Sequence, residues 1–339
     1  MNSEQKFLVG LAAGAAAAFA GGRLMRRARA IDFAGRVAVI TGGSRGLGLV
    51  LARRLAAEGA RLCLLARDEA ELQRAAQQFP PGVDVMTVRC DIRRRADVRA
   101  AIDTVLDRWH VIDILINNAG VIQVGPLEHM TEQDFENAMA THFWGPLHLM
   151  FEIVPSMRRR SFGRIVNVAS IGGRIAVPHL APYCASKFAL VGLSDAVRTE
   201  LEQYGIRVTT VTPGLMRTGS PRNADMKGQH EAEYAWFAIS DSLPGLTASA
   251  ESAAQQIVEA CRYGDPELTI TLPAKIAMVA NHFMPALVAH TMMVANRVLP
   301  GMNDVTGNRK KRGAESTSRW APSAATVLTD KAAVVNNEV

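Results

Sequence analysis

The sequence predicts a doubly wound α/β fold on a parallel sheet, and three observations carry that prediction. From Arg36 onward, short β-branched runs alternate with amphipathic helical windows; the runs are apolar on both faces; and the chain has a globular composition, 48% hydrophobic and 21% charged. Strands that are apolar on both faces and separated by helices belong in a parallel sheet covered on both sides, with right-handed crossovers. In chain order, Val37 to Thr41 is an apolar run leading through a glycine-rich turn into a helical window, Leu47 to Glu58. Arg61 to Ala66 and Asp84 to Cys90 are the next strands, and a second window runs from Arg94 to Trp109. Ile112 to Asn117 precedes the long window Thr131 to Met157. Arg164 to Ser170 precedes helical Ala181 to Tyr204, Ile206 to Thr212 precedes helical Ser249 to Arg262, and Leu268 to Leu272 is the last strand.

Two further segments follow. Ile276 to Leu299 is apolar but interrupted by Asn281, His282, Pro285, His290, Asn296 and Arg297, which predicts an amphipathic or kinked helix pair over the site or on a membrane surface. Beyond Gly301 the chain turns polar, with a basic run and Ala/Ser-rich stretches, which predicts poor order. The expected organisation is an anchor or targeting segment (1–30), a single catalytic domain (31–272), an apolar helical extension (273–300) and a flexible tail (301–339).

The 339 residues are enough for a large core, and the composition argues against wholesale disorder or a multi-span membrane protein. Net charge is +6, but much of the excess sits in two clusters, Arg23, Arg26, Arg27 and Arg29, and Arg309 to Arg312. Neither cluster is interleaved with aromatic residues, so no nucleic-acid partner is indicated. Four widely spaced cysteines, Cys63, Cys90, Cys184 and Cys261, form no CxxC pair, which fits a reducing compartment. No histidine pair has ligand spacing, so no metal is expected. The chain is compatible with a homo-oligomer, and nothing in it fixes the oligomeric state.

Phe7 to Gly22 is an uncharged apolar run of 16 residues, 11 of them Ala or Gly. As a helix it would reach roughly 24 Å, short of the hydrocarbon core, and it is weakly hydrophobic. A spanning anchor and a cleaved signal, with Ala18-Phe19-Ala20 as the small-x-small site, are both open. The arginines after the run favour an anchor with the domain on the cytoplasmic side.

The first strand enters Thr41-Gly42-Gly43-Ser44-Arg45-Gly46-Leu47-Gly48 and then a helix. Glycines there let the backbone turn tightly and approach a pyrophosphate, which the helix N-terminus attracts. The same letters satisfy GxSxG, the nucleophile elbow of hydrolases, but that elbow normally follows several strands. TGxxxGxG is followed by Asn117-Asn118-Ala119-Gly120, by Ser170, by Tyr183-Cys184-Ala185-Ser186-Lys187 thirteen residues on from the serine, and by Pro213-Gly214. In this order the set resembles the short-chain dehydrogenase/reductase family over about Arg36 to Leu272, with its Rossmann-type sheet. The resemblance implies cofactor contacts from Thr41, Gly42, Ser44, Arg45, Gly46, Leu47 and Gly48, from Asn118, Ala119 and Gly120 on the adenosine ribose side, and from Asp91 to the adenine amino group. Pro213, Gly214 and Thr218 match the loop that closes on the nicotinamide.

Cofactor choice follows from charge. An acid at the end of the second strand would bind a ribose 2′-hydroxyl and repel a 2′-phosphate. Here that strand ends in Ala66-Arg67, so Arg67 and Arg45 can clamp the phosphate, which predicts NADP(H). The competing reading has both arginines solvated or paired with Asp68 and Glu69.

Tyr183 and Lys187 lie four residues apart on one helix, hence on one face, where an ammonium is expected to stabilise a phenolate and lower the tyrosine's pKa. The resemblance makes Tyr183 the acid and base, Ser170 a partner of the same substrate oxygen, and Lys187 also the holder of the nicotinamide ribose. The family commonly has an asparagine where this chain has His142, which leaves two readings, a packed histidine or a proton relay.

The expected function is an NADP(H)-dependent oxidoreductase acting on a lipophilic carbonyl or alcohol, membrane-associated and facing the cytoplasm. Tyr234, Trp236, Phe237, Ile239 and Leu243, within the lid segment 219–248, suggest the lipophilic substrate. A non-catalytic NADP-sensing scaffold and a hydrolase using Ser44 are the rivals.

Overall fold

The computed structural model describes residue 5, residues 21–302 and residues 307–339. Its centre is a seven-stranded parallel sheet: β1 (Val37–Thr41), β2 (Arg61–Ala66), β3 (Val85–Arg89), β4 (Ile114–Asn117), β5 (Gly163–Val168), β6 (Ile206–Pro213) and β7 (Glu267–Ile270), in the order β7-β6-β5-β4-β1-β2-β3. Along β1, Ala38 and Ile40 face one core, with Leu62, Leu64 and Ile257, while Val37 and Val39 face the other, with Cys63, Leu65 and Ile153. Both faces are dry, which is why the strands read as continuous apolar runs rather than alternating ones.

Helices α1 (Gly46–Ala57) and α8 (Ala250–Tyr263) cover the first face, joined at its edge by α2 (Glu69–Ala76). The helices α3 (Arg95–Trp109) and α5 (Gly145–Arg159) cover the second face. Of the remaining helices, α4 (Glu132–Met139) precedes α5, α6 (Ala181–Leu201) follows β5, and α7 (His230–Ser242) follows β6. Helices α2 and α7 were not legible from periodicity, nor was the division between α4 and α5. In α2 only Leu72 and Ala75 are buried, too few for a stripe, although the Asp68 side chain caps it by accepting from Glu71 N–H at 2.9 Å. The long window Thr131 to Met157 is two helices, because a π-helical stretch, Ala140–Trp144, separates α4 from α5. Such stretches often mark functional sites, and this one carries His142.

The chain runs from β1 outward through β2 and β3, then crosses back to β4 on the other side of β1. That reversal opens a crevice at the carboxyl ends of β1 and β4, where open α/β sheets place ligands.

The apolar stretch Ile276 to Leu299 becomes α9 (Leu272–Phe283) and α10 (Pro285–Asn296), broken at Met284-Pro285. Ile276, Val279, Phe283, Leu287 and Val294 are all exposed on this pair. Most of the run Phe7 to Gly22 lies outside the described residues, while 21–28 are helical. Among the described residues no helix is long and apolar enough to cross a membrane.

The tail differs from expectation. Residues 307–339, expected to be poorly ordered, lie folded on the domain: Ala321 joins a core with Tyr234 and Phe237, and α11 (Val327–Val335) buries Ala333. Polar composition read as disorder because it lacks large apolar anchors, yet the tail packs through small residues, with the Gly313 backbone so close to Pro221 that an added Cβ would lie 2.0 Å from its carbonyl oxygen.

Candidate active site

The turn from β1 into α1 is built by backbone geometry. Gly42 and Gly46 adopt φ of +63° and +55°, a region that favours glycine. A Cβ on Gly48 would lie 2.1 Å from the Gly42 carbonyl oxygen, and one on Gly42 would lie 3.0 Å from Ala119 Cα. The amides of Asn118 and Ala119 donate to Thr41 Oγ1 at 2.9 and 3.0 Å, and Asn118 Nδ2 donates to the Thr41 carbonyl at 3.0 Å. Thr41, Gly42, Gly48, Asn118 and Ala119 therefore form one brace across the crevice, with Leu47 buried under it and the helix N-terminus opening at Gly46. A turn this closed to side chains, ending on a helix N-terminus, suits a dinucleotide phosphate. Asn117, beneath it, donates from Nδ2 to Asn167 Oδ1 at 2.8 Å and ties β4 to β5.

The charged residues are less simply placed. Arg67 is exposed at the end of β2, and its guanidinium makes no hydrogen bond or ion pair among the described residues. Arg45 is instead held by Glu71 at 3.0 Å and Glu338 at 3.3 Å, while the Ser44 hydroxyl donates to Glu71 at 3.0 Å. The two arginines thus do not form a ready clamp; Arg45 is paired, though with neither Asp68 nor Glu69. Asp91 is bound by the Arg93 guanidinium, at 2.9 Å from Nε and 2.6 Å from Nη2. Burial pushes its carboxyl up, but the Arg93 bonds outweigh that and hold it below the usual range.

At the other end of the crevice Ser170 leaves β5, and Tyr183 and Lys187 stand on α6. The Ser170 hydroxyl accepts from Gly172 N–H at 3.0 Å, and an added Cβ on Gly172 would lie 3.2 Å from Tyr183 Cε1. Burial pushes the Tyr183 phenol up to about 12, with a Ser170 hydrogen bond pulling the other way. Burial also pushes Lys187 down to about 7. The expectation that Lys187 lowers the tyrosine's pKa is not met in the protein alone. The Lys187 ammonium lies 5.7 Å from the Tyr183 ring centroid and donates to the Val168 carbonyl at 2.8 Å, and dehydration of the cleft dominates both groups.

His142 is fully buried, and its ring meets that of Tyr183 edge-on at 5.5 Å. Its Nε2 accepts from Val121 N–H at 3.1 Å, and Nδ1 is 2.7 Å from Ser186 Oγ, which donates to the Tyr183 carbonyl at 2.9 Å. Since Ser186 spends its proton on that carbonyl, Nδ1 carries the hydrogen and the ring is neutral, as burial also requires by pushing its pKa well down. An added Cβ on Gly120 would lie 3.1 Å from Nε2, so Gly120 makes room for this ring. Both ring nitrogens are engaged, which fixes the ring against the Val121 backbone and Ser186.

Pro213 ends β6, and the Gly214 amide donates to the Ile270 carbonyl at 3.0 Å. Thr218 is buried, and its carbonyl accepts from Asn336 Nδ2 at 3.4 Å. Of the aromatic residues in the 219–248 segment, Tyr234 and Phe237 are buried in a core with Val124 and Met226. Sequence reading missed Ser186, Glu71, Glu338 and Asp241. Asp241 is a buried acid on α7, pushed up to about 8 by burial, whose charge bears on Tyr183. Ser186 fills an unspecified position between Tyr183 and Lys187, and the other three belong to no motif; each acquires its place through a contact distant in sequence or through helix packing. Among the described residues no cluster could hold a metal ion.

The family model for short chain dehydrogenases matches residues 36–228. A protein of Streptomyces violaceoruber, described as a ketoacyl reductase of granaticin polyketide synthase, is 38% identical over 185 residues, 54% of this chain and 68% of its own length. The dehydrogenase/reductase SDR family member 7B of Bos taurus is 33% identical over 231 residues, 66% of this chain and 70% of its own. A solved 3-ketoacyl-(acyl-carrier-protein) reductase from Brucella melitensis, complexed with NADH, superposes with a TM-score of 0.61 at 26% identity, covering 71% of this chain and 97% of that one.

Proposed function

Because this chain belongs to the short-chain dehydrogenase family and is thereby an oxidoreductase that takes a nicotinamide cofactor, we propose that it interconverts a carbonyl and an alcohol with NADP(H), Tyr183 moving the proton. The observation that carries this reading is the convergence of Ser170, Tyr183 and Lys187 at the crevice that also holds the glycine turn. When bound, the nicotinamide supplies or accepts the hydride. Tyr183 donates its phenolic proton to the carbonyl oxygen, and Ser170 hydrogen-bonds that oxygen. Lys187 holds the nicotinamide ribose, and the glycine turn with Asn118, Ala119 and Gly120 holds the phosphate and adenosine end. Asp91, Pro213, Gly214 and Thr218 complete the cofactor contacts. His142 holds the Tyr183 backbone through Ser186 and takes no proton.

The choice of NADP(H) rests on Arg67, free at the end of β2 with no acid in its place. The Brucella relative holds NADH, so the ratio of the two cofactors is the test. NADPH and NADH oxidation by the full chain, measured against a panel of carbonyl compounds, should favour NADPH. The Arg67→Asp variant should lose roughly ten- to a hundredfold in NADPH affinity, since a charge-assisted contact is worth about 1.5 to 3 kcal/mol, and should gain on NADH. An unchanged ratio would put the 2′-phosphate elsewhere, and no turnover on any carbonyl would favour a cofactor-binding scaffold.

A lipophilic ketone or alcohol at a membrane remains the substrate reading, supported by α9 and α10. Between Glu267 and Asp304 the chain has no acidic residue, and the exposed apolar side chains there are flanked by Lys275 and Arg297. Insertion of this pair, with residues 7–22, would keep the enzyme on the cytoplasmic face. Deleting residues 1–30 should move the protein toward the soluble fraction, and the part retained by α9 and α10 should resist a high-salt wash. A full chain that fractionates as wholly soluble would end this reading.

A further inference from the structure

The last residues of the chain lie in the dinucleotide crevice. The Gly46 amide, at the start of α1 where a phosphate would bind, donates to the Asn336 carbonyl at 2.8 Å. Asn337 Nδ2 donates to the Ser44 carbonyl at 2.8 Å. Glu338 brings its carboxylate over the same turn: it pairs with Arg45 at 3.3 Å and accepts from Asn223 Nδ2 at 2.6 Å. An added Cβ on Gly46 would meet Glu338 Oε1 at 2.5 Å. The contact is buried, with Asn336 at 0% and the Glu338 side chain at 5% exposure. Behind it, the Ala333 backbone is packed on Gly219 so tightly that a Cβ there would lie 2.4 Å from Ala333 Cα.

These groups take the place of phosphate oxygens: a carbonyl accepting from the first helix amide and a carboxylate paired with the Arg45 guanidinium beside it. We propose that residues 336–338 are a built-in competitor for the dinucleotide, a carboxylate and a peptide carbonyl in place of phosphate, which must leave before the cofactor binds. The proposal rests on the cofactor reading above. It also explains why Arg45 is not free. Glu338 holds it beside Glu71 while the tail is docked, and undocking removes one of its two carboxylate partners, leaving its guanidinium nearer to service for a 2′-phosphate. Burial pushes the Glu338 carboxyl up to about 7 against the pull of Arg45 and Asn223, so the docked carboxylate is poorly solvated and displaceable by a better anion.

Removing residues 336–339 leaves α11 whole, and Glu338→Gln keeps the shape while removing the charge. NADPH and NADH binding should be titrated on the full chain and on both variants, together with hydrogen exchange at the Gly46 amide. A competitor docked most of the time lowers apparent affinity by the undocked fraction, so truncation should tighten NADPH binding by about tenfold or more and tighten NADH binding less. Glu338→Gln should fall between. In the absence of cofactor, Gly46 should exchange slowly in the full chain and faster after truncation. Equal or weaker NADPH binding by the truncated form would overturn the competitor while leaving the cofactor reading intact. Binding of neither dinucleotide to any form would overturn both.

Discussion

Tyr183→Phe is expected to lower turnover by about 10²- to 10⁴-fold, the usual worth of a positioned acid or base, with NADPH affinity nearly unchanged. The variant removes one oxygen and keeps the ring, which packs on Gly172 and His142. Lys187 keeps its bond to the Val168 carbonyl. The pH dependence follows from the phenol being pushed up to about 12 by burial. Below that value the phenol stays protonated, so carbonyl reduction should be nearly flat from pH 6 to 9 as far as this group is concerned. Alcohol oxidation needs the phenolate and should rise with pH over the same range. Steady-state rates in both directions, with a cofactor titration, check the prediction. More than a few per cent of residual activity would remove Tyr183 from the proton step.

Gly48→Ala is expected to be nearly as damaging by another route. The new methyl would lie 2.1 Å from the Gly42 carbonyl oxygen and 2.6 Å from Asn118 Nδ2. Neither neighbour can yield cheaply, because Asn118 bridges β1 and β4 and the Gly42 amide is bonded to the Leu65 carbonyl at 2.8 Å. Overpacking of this kind costs about 1 to 3 kcal/mol. The forced shift also opens the turn that would meet the phosphates, so dinucleotide affinity should fall at least roughly a hundredfold, about 2.7 kcal/mol. Gly192→Ala is the control: nothing lies within 4 Å of its added Cβ, and helix propensity alone predicts a gain of up to about 1 kcal/mol. Denaturant midpoints and cofactor titrations on both variants test the pair. A Gly48→Ala protein that binds NADPH normally would show that the turn does not need its closed form.

The strands were legible because burial on both faces leaves an uninterrupted apolar run, and their ends fall within two residues of the predicted ones. The crevice was legible because its chemistry is local: a glycine turn on consecutive residues, and a Tyr/Lys pair one helical turn apart. Helix α7 escaped because its letters serve two ends. Tyr234 and Phe237 read as a substrate lining, but they close a core with Ala321 of the tail, a partner no window over the lid contains.

The sequence by itself determined the doubly wound sheet, the glycine turn and the order of Ser170, Tyr183 and Lys187, since each depends on residues close together in the chain. Only the tertiary structure decided what surrounds them. It dehydrates Tyr183 and Lys187, so that burial raises the phenol and lowers the ammonium. It neutralises His142 between Val121 and Ser186. Through a contact 293 residues long between Ser44 and Asn337, it also brings a polar C-terminal tail into the crevice. Dielectric and long-range contact are properties of what packs around a residue, and neither is written in its own stretch of chain.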